Sequence, residues 1–205
     1  MIEVGAIVLA AGLSQRFRAA GGEGPSKLLA PLGGEPLVRR AAQAATASCA
    51  RPVVVVTGHA KAEVEAALEG LAVVFTHNAD FASGLASSLK VGVAALPERI
   101  EGALVLLGDM PAVDASVLDR LIQAFYADPR VLAVAPVHAG RRGNPVLLSR
   151  ALFAAIARLD GDEGARRLLR QAGPGRVLEV AIEGDAPLLD IDTPEDLAAA
   201  RNLRS

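Results

Sequence analysis

Three acidic residues stand where carboxylates can serve a cation. Asp109 closes an apolar run in Gly108-Asp109-Met110-Pro111, and Asp190 and Asp192 lie two apart in Asp190-Ile191-Asp192-Thr193-Pro194. A short apolar run ahead of Asp109 reads as a buried strand, which puts that carboxylate at a sheet edge. If residues 190 and 192 are extended they share a face, and like charges so close are unfavourable unless a cation lies near. Magnesium suits such a place, because it takes few protein carboxylates and fills its shell with phosphate oxygens and water. The plain alternative is that Asp109 opens a turn. Thr193 and Asp196 cap a helix whose first position is Pro194, but capping explains neither Asp190 nor Asp192.

The second candidate is the loop Leu9-Ala10-Ala11-Gly12-Leu13-Ser14-Gln15-Arg16-Phe17, with Lys27 eleven positions after Arg16. Small residues directly after a buried strand let backbone N–H groups close on phosphate oxygens. Leu9, Ala10, Ala11, Gly12 and Ser14 are therefore candidates for nucleotide contact, and Arg16 and Lys27 supply charge to neutralise a triphosphate. Gly21, Gly22 and Gly24 lengthen this loop and point to mobility before substrate arrives. Neither Gly-x-Gly-x-x-Gly nor Gly-x-x-x-x-Gly-Lys-Ser/Thr occurs there, which removes the main support for a dinucleotide dehydrogenase or a phosphate-loop ATPase. A third segment, residues 78–92, reads Asn-x-x-Phe-x-x-Gly-Leu-x-x-Ser-Leu-x-x-Gly. It places Gly84 and Ser88 where a loop runs into a helix and can hold a base or ribose; serines capping that helix explain it nearly as well.

The elements that must position these residues alternate along the chain. Residues 4–10, 53–56, 72–75, 103–107, 131–135, 145–148, 177–181 and 187–190 read as strands. The β-branched run 53–56 is typical of a strand covered on both sides in a parallel sheet. Helical spacing occupies 36–47, 61–68, 84–96, 114–126 behind an Asp114 cap, 152–159, 163–171 and the segment after Thr193. This alternation predicts an α/β fold with a largely parallel central sheet. In such sheets ligands bind beyond the carboxyl ends of the strands, which directs attention to the loops after Leu9, Phe75, Leu107 and Leu189.

Taken in order, Leu-Ala-Ala-Gly-x-Ser-x-Arg-Phe, Lys27-Leu28-Leu29, the 78–92 segment, Gly108-Asp109-Met110-Pro111 and Asp192-Thr193-Pro194 resemble the signature of nucleotidyltransferases of the molybdenum-cofactor type. Within that family the match is to the cytidylyltransferase branch, since the guanine-using branch typically carries Leu-Ala-Gly-Gly where this chain has Ala11. The resemblance implies one Rossmann-like, three-layer domain of the nucleotide-diphospho-sugar transferase type. It assigns residues 1–110 mainly to nucleotide and 111–205 mainly to the acceptor and the second metal ligand. It implies a catalytic set of Arg16, Lys27 and Asp109, Mg2+ on Asp109 and Asp192, and the base read near Gly84 and Ser88. Gly140-Arg141-Arg142-Gly143-Asn144-Pro145-Val146 and Gly161-Asp162-Glu163-Gly164-Ala165-Arg166 also match the family, so Arg142, Asn144 and Arg166 become acceptor candidates. The implied reaction moves CMP from CTP to the phosphate of molybdenum-bearing molybdopterin, and the product must reach an apo-molybdoenzyme client. Three rivals stay open: GTP or another acceptor phosphate, a nicotinamide-dependent oxidoreductase, and a carrier or chaperone without turnover.

Bulk properties narrow the field. The chain has 205 residues, 52% of them hydrophobic, and a net charge of −2. That length fits a single domain, and that charge argues against a nucleic-acid binder. No apolar run approaches the roughly 20 residues that cross a bilayer, and the N-terminus lacks the basic region of a secretion signal. A cytoplasmic protein is expected. The single Cys49 allows no internal disulfide and is expected to pack inside. His59, His77 and His138 lack metal spacing and read as loop residues, and without a Gly-x-Ser-x-Gly element covalent acyl chemistry has no motif.

Overall fold

The computed structural model describes residues 3–128, 130–161, 164–173 and 175–202. The chain opens with β1 (Glu3–Ala10) and a short helix α1 (Gln15–Ala19), then a hairpin of β2 (Pro31–Leu32) and β3 (Glu35–Pro36) leads into α2 (Leu37–Ala47). The alternation continues through β4 (Val53–Thr57), α3 (Lys61–Ala67), β5 (Val74–His77), α4 (Leu85–Ala94) and β6 (Ile100–Leu107). After α5 (Ala115–Ala127) come β7 (Ala133–His138), β8 (Arg141–Arg142) and β9 (Val146–Ser149). The chain closes with α6 (Phe153–Ile156), α7 (Arg166–Gln171), β10 (Val177–Ala181) and α8 (Pro194–Asn202).

The main sheet runs β10-β7-β9-β6-β1-β4-β5, with β8 paired to β7. β6, β1, β4 and β5 are mutually parallel, and so are β7 and β10. β9 is antiparallel to both β6 and β7, because the link from β7 is too short for a crossover. Alternation along β1 builds two cores. Val4, Ala6, Val8 and Ala10 face one layer with Val55, Leu104 and Leu106, against α2 and α5. Ile7 and Leu9 face the other with Val54, Val56 and Val105, against α4. Gly92 lets α4 lie close on the sheet: a Cβ there would fall 2.5 Å from Ile7 Cγ2. From β1 the chain winds outward through β4 to β5, then returns across β1 to β6. That reversal opens a crevice between the carboxyl ends of β1 and β6, where open α/β sheets bind ligands. The expected α/β class and single domain with a mostly parallel sheet are what the chain forms.

Some local expectations are corrected. Residues 187–190 are not a strand but a 3-10 turn, Ala186–Leu188, followed by irregular chain. Pro187 has no N–H to give to a ladder, and its carbonyl accepts the Asn144 N–H at 2.9 Å. The strand expected at 72–75 lies two residues later as β5, an edge strand with Val74 54% exposed, because Gly70 turns at φ +82° just before it. The helices expected at 152–159 and 163–171 shorten to α6 and α7; Asp162 and Glu163 lie outside the described residues. Cys49 is exposed rather than buried, in the turn after α2, with its backbone N–H donating to Asp119 Oδ1 at 2.7 Å. Among the described residues no helix is long and apolar enough to cross a membrane.

Candidate active site

Leu9 and Leu107 are register partners on β1 and β6, so the loops that follow them leave the sheet side by side. Gly108 N–H donates to the Leu9 carbonyl at 3.0 Å. A side chain at Gly108 would crowd that same carbonyl at 3.1 Å. The strands therefore deliver the Ala11–Ser14 loop and Asp109 to one edge.

Local hydrogen bonds place the rest. Ser14 is buried and left-handed at φ 54°, and its Oγ accepts the Lys27 N–H at 3.0 Å. The same oxygen lies 3.2 Å from Ser26 Oγ, which in turn accepts the Leu28 N–H at 3.3 Å. This pair of serines fixes the backbone of Lys27. On the opposite side, Ile191 N–H donates to the Asp109 carbonyl at 3.1 Å. The Ile191 side chain is fully buried among Phe17, Leu32, Leu37 and Leu197, which ties the last helix to the first loop. Asp196 then accepts the N–H groups of Asp192 (3.0 Å) and Thr193 (2.8 Å) and the Thr193 hydroxyl (2.9 Å). The expected helix cap is thus also the device that orients Asp192.

These anchors converge on one charge cluster. Lys27 Nζ lies 2.7 Å from Asp109 Oδ2 and 2.7 Å from Asp192 Oδ1, and Arg16 Nη1 lies 2.6 Å from Asp192 Oδ2. Burial pulls the Lys27 ammonium down, but the charge and hydrogen bond of Asp109, with help from Asp192, raise it above its ordinary value. Burial pushes the Asp109 carboxyl up, against the opposing pull of Lys27. The hydrogen bond from Lys27 holds Asp192 low despite partial burial. Asp190 is exposed, and its charge adds to the rise at Asp109.

The residues fit a divalent cation. Asp109 Oδ1 is buried and, among the described residues, receives no hydrogen bond, a costly condition for a carboxylate oxygen unless something else meets it. Asp109 and Asp192 converge closely enough to share one ammonium nitrogen. Among the described residues no group of three His, Cys, Asp or Glu converges as a metal cage. A pair of acids matches a cation that draws its remaining ligands from phosphate and water.

Two cavities flank the crevice. The first, about 450 Å³, is lined by Leu9, Ala11, Gly12, Ser14, Arg16, Lys27, Gly84, Ser88, Asp109 and Asp192. Ala10 stands apart, its side chain in the core beside α2. Ser88 Oγ accepts Asn78 Nδ2 at 3.0 Å, a bond Asn78 also makes to Ser87 at 2.8 Å, so this serine braces its own loop as it faces the cavity. Phe81 and Leu85, which the 78–92 pattern contains without a role, also line it, and so does Ala82. Sequence reasoning passed over Gly58, where a Cβ would meet those of Ala11 and Phe81 at 2.7 Å. The signal for Gly58 was its place directly after the β4 strand.

The second cavity, about 630 Å³, has an apolar floor of Leu89, Val105, Val146 and Leu169 and a rim of Arg142, Asn144, Arg166 and Arg170. Arg142 Nε donates to Glu179 Oε1 at 2.6 Å, and Arg166 starts α7. Gly143 lies hard against Pro187, leaving no room for a Cβ. Leu9, Leu85 and Leu107 line both cavities, so the two adjoin with these leucines at their border.

A parallel sheet with its crevice at the β1–β6 reversal, a small-residue loop beside a Lys–carboxylate cluster, and an adjoining arginine-rimmed cavity together describe a nucleotidyltransferase. Residues 6–177 match the MobA-like NTP transferase domain, and the chain belongs to that family. It is 30% identical to the molybdenum cofactor cytidylyltransferase of Escherichia coli, over 98% of this chain and 97% of that one. It is 33% identical to the nicotine blue oxidoreductase of Paenarthrobacter nicotinovorans, over 93% of each. Among solved structures, Rv0371c from Mycobacterium tuberculosis superposes with a TM-score of 0.80 at 30% identity, over 98% of this chain and 99% of that one.

Proposed function

We propose that this protein transfers CMP from CTP to the phosphate of molybdopterin carrying molybdenum, releases pyrophosphate, and uses Mg2+. The observation that carries the reading is the junction of the two cavities at Leu9, Leu85 and Leu107. It lets a nucleotide held beside Asp109 meet an acceptor phosphate held by arginines. The cytidylyltransferase of Escherichia coli, and Ala11 in the first loop, favour CTP and this acceptor.

In this reading the triphosphate lies along the loop from Ala11 to Ser14, and Arg16 and Lys27 turn from the carboxylates to its β- and γ-phosphates. Asp109 and Asp192 hold the cation, which when bound offsets the negative charge gathered around the α-phosphate. Gly84 and Ser88 meet the base or ribose. Arg142, Asn144 and Arg166 orient the acceptor phosphate, a task suited to guanidinium forks. An oxygen of that phosphate attacks the α-phosphorus in line, the bond to the β-bridging oxygen breaks, and pyrophosphate leaves. A phosphate monoester is already anionic at neutral pH, so positioning and charge neutralisation carry the step without a protein base. The product then passes to an apo-molybdoenzyme, and the cytoplasm is the fitting compartment. Equilibrium binding across the four common nucleoside triphosphates tests the base: CTP is expected to bind tightest, and preference for GTP overturns that part.

The likeness to the nicotine blue oxidoreductase favours an oxidoreductase as a second reading, and a nicotinamide cofactor is the form of it that can be tested first. The first loop lacks the glycine fingerprint of dinucleotide binding. NADH and NADPH fluorescence titrations showing no saturable binding would close this reading.

A further inference from the structure

Leu85 is a large apolar side chain of the crevice that belongs to none of the buried core clusters. It opens α4 and is 36% exposed, whereas its neighbours Ala86 and Leu89 are 1% exposed and hold the helix on the sheet. Its place is nonetheless defined. Gly84, at φ 107° and ψ 178°, occupies backbone space that favours glycine and turns the chain into the helix. Ala86 N–H donates to the Gly161 carbonyl at 3.0 Å. Gly164, at φ +53°, backs directly onto the leucine, so that a Cβ there would fall 2.9 Å from Leu85 Cδ2. The side chain is thereby set over the junction of the two cavities, together with Leu9 and Leu107.

Both cavities carry charge away from this junction: Lys27, Arg16 and the acids on one side, the arginines on the other. The junction itself is three leucines. A water molecule there gives up hydrogen bonds without gaining partners, whereas an acceptor phosphate stays with the arginines of its own cavity and presents a single oxygen at the neck. We infer that Leu85 is the partition that denies water access to the α-phosphorus, and so sets the preference for transfer over hydrolysis. The inference rests on the nucleotidyl-transfer reading. The suppressed reaction is attack of a water oxygen on the α-phosphorus: the bond to the β-bridging oxygen breaks, and the nucleoside monophosphate, pyrophosphate and a proton are released.

The test compares the wild type with Leu85→Ala and Leu85→Met, measuring CMP and dinucleotide product from CTP, Mg2+ and molybdenum-bearing molybdopterin. CMP is also followed without acceptor, and CTP affinity by calorimetry. Leu85→Ala is expected to raise CMP formed per transfer by about tenfold, the lower end of what one apolar contact gives in discrimination. CTP affinity should fall by much less than the product ratio changes, and Leu85→Met, a swap that keeps an apolar side chain of similar volume, should keep the wild-type ratio. If Leu85→Ala loses transfer and CTP binding together, or keeps the wild-type product ratio, the partition role is overturned while transfer itself stands. A wild-type protein that consumes no nucleotide under any of these conditions overturns the transfer reading, and the inference with it.

Discussion

Single residues here carry charge that the fold alone does not need. Asp109 is buried and its carboxyl is raised, so its charged form costs stability as pH climbs through its folded pKa and costs nothing well below the ordinary carboxylate range. Asp109→Asn should therefore melt no lower than wild type at neutral pH, with any gain vanishing in acid, yet turn over nucleotide several orders of magnitude more slowly. Thermal melts at two pH values beside a turnover assay check this. A folded and fully active variant would remove Asp109 from the site. Residue types made Arg16, Lys27 and Asp109 legible in the sequence as candidates, because strand ends and clustered charges have a physical signature. The choice of Asp192 over Asp190 came from the family resemblance. The bridge from Lys27 to both acids was not legible. It depends on Ser14 and Ser26 fixing the lysine backbone and on Ile191 reaching the Asp109 carbonyl, contacts that span 13 positions in one case and 165 in the ion pair itself.

At the scale of elements, caps and anchors decide where those residues point. Asp114 accepts the Ser116 hydroxyl and the Val117 N–H at the start of α5, and the Ser116 bond holds its carboxyl below the usual range against partial burial. A depressed folded pKa means stabilisation present at neutral pH and lost as pH falls through that value. Asp114→Ala should cost about 1 kcal/mol at neutral pH, and denaturation series should show the gap from wild type narrowing in acid. Ile191 packs between the first loop and α8. Ile191→Ala should cost roughly 2–5 kcal/mol and Ile191→Val about 0.5–1.5. Because Ile191 adjoins Asp192, the alanine variant should also lose activity at temperatures where it remains folded, which paired melts and assays would reveal. Long helices such as α2 and α5 were readable from their apolar spacing. The short α1 and the β2–β3 hairpin were not, since five and two residues give no usable period. The turn at Ala186–Leu188 misled because its apolar run serves packing against Gly143 rather than a ladder.

Across the whole molecule, strand order places the chemistry. The reversal at β1 sets Leu9 beside Leu107, and β8, β9, α4 and α7 supply much of the remaining lining of the crevice. The alternation of runs foretold the α/β class and the site at the strands' carboxyl ends. It did not foretell that β9 would be antiparallel, since direction follows from the length of a link rather than from a strand's own residues. It also gave no view of two cavities joined at a leucine neck, because Leu85, Val105 and Leu169 look like ordinary core residues until the layers are assembled. The central claim is that this crevice moves a nucleotide onto a phosphorylated acceptor. The most direct test is pyrophosphate release with Mg2+, CTP or GTP, and molybdenum-bearing molybdopterin. Release that requires both CTP and the acceptor, with GTP inert, is the predicted result; silence with every nucleotide, in a folded protein supplied with the acceptor, would contradict it.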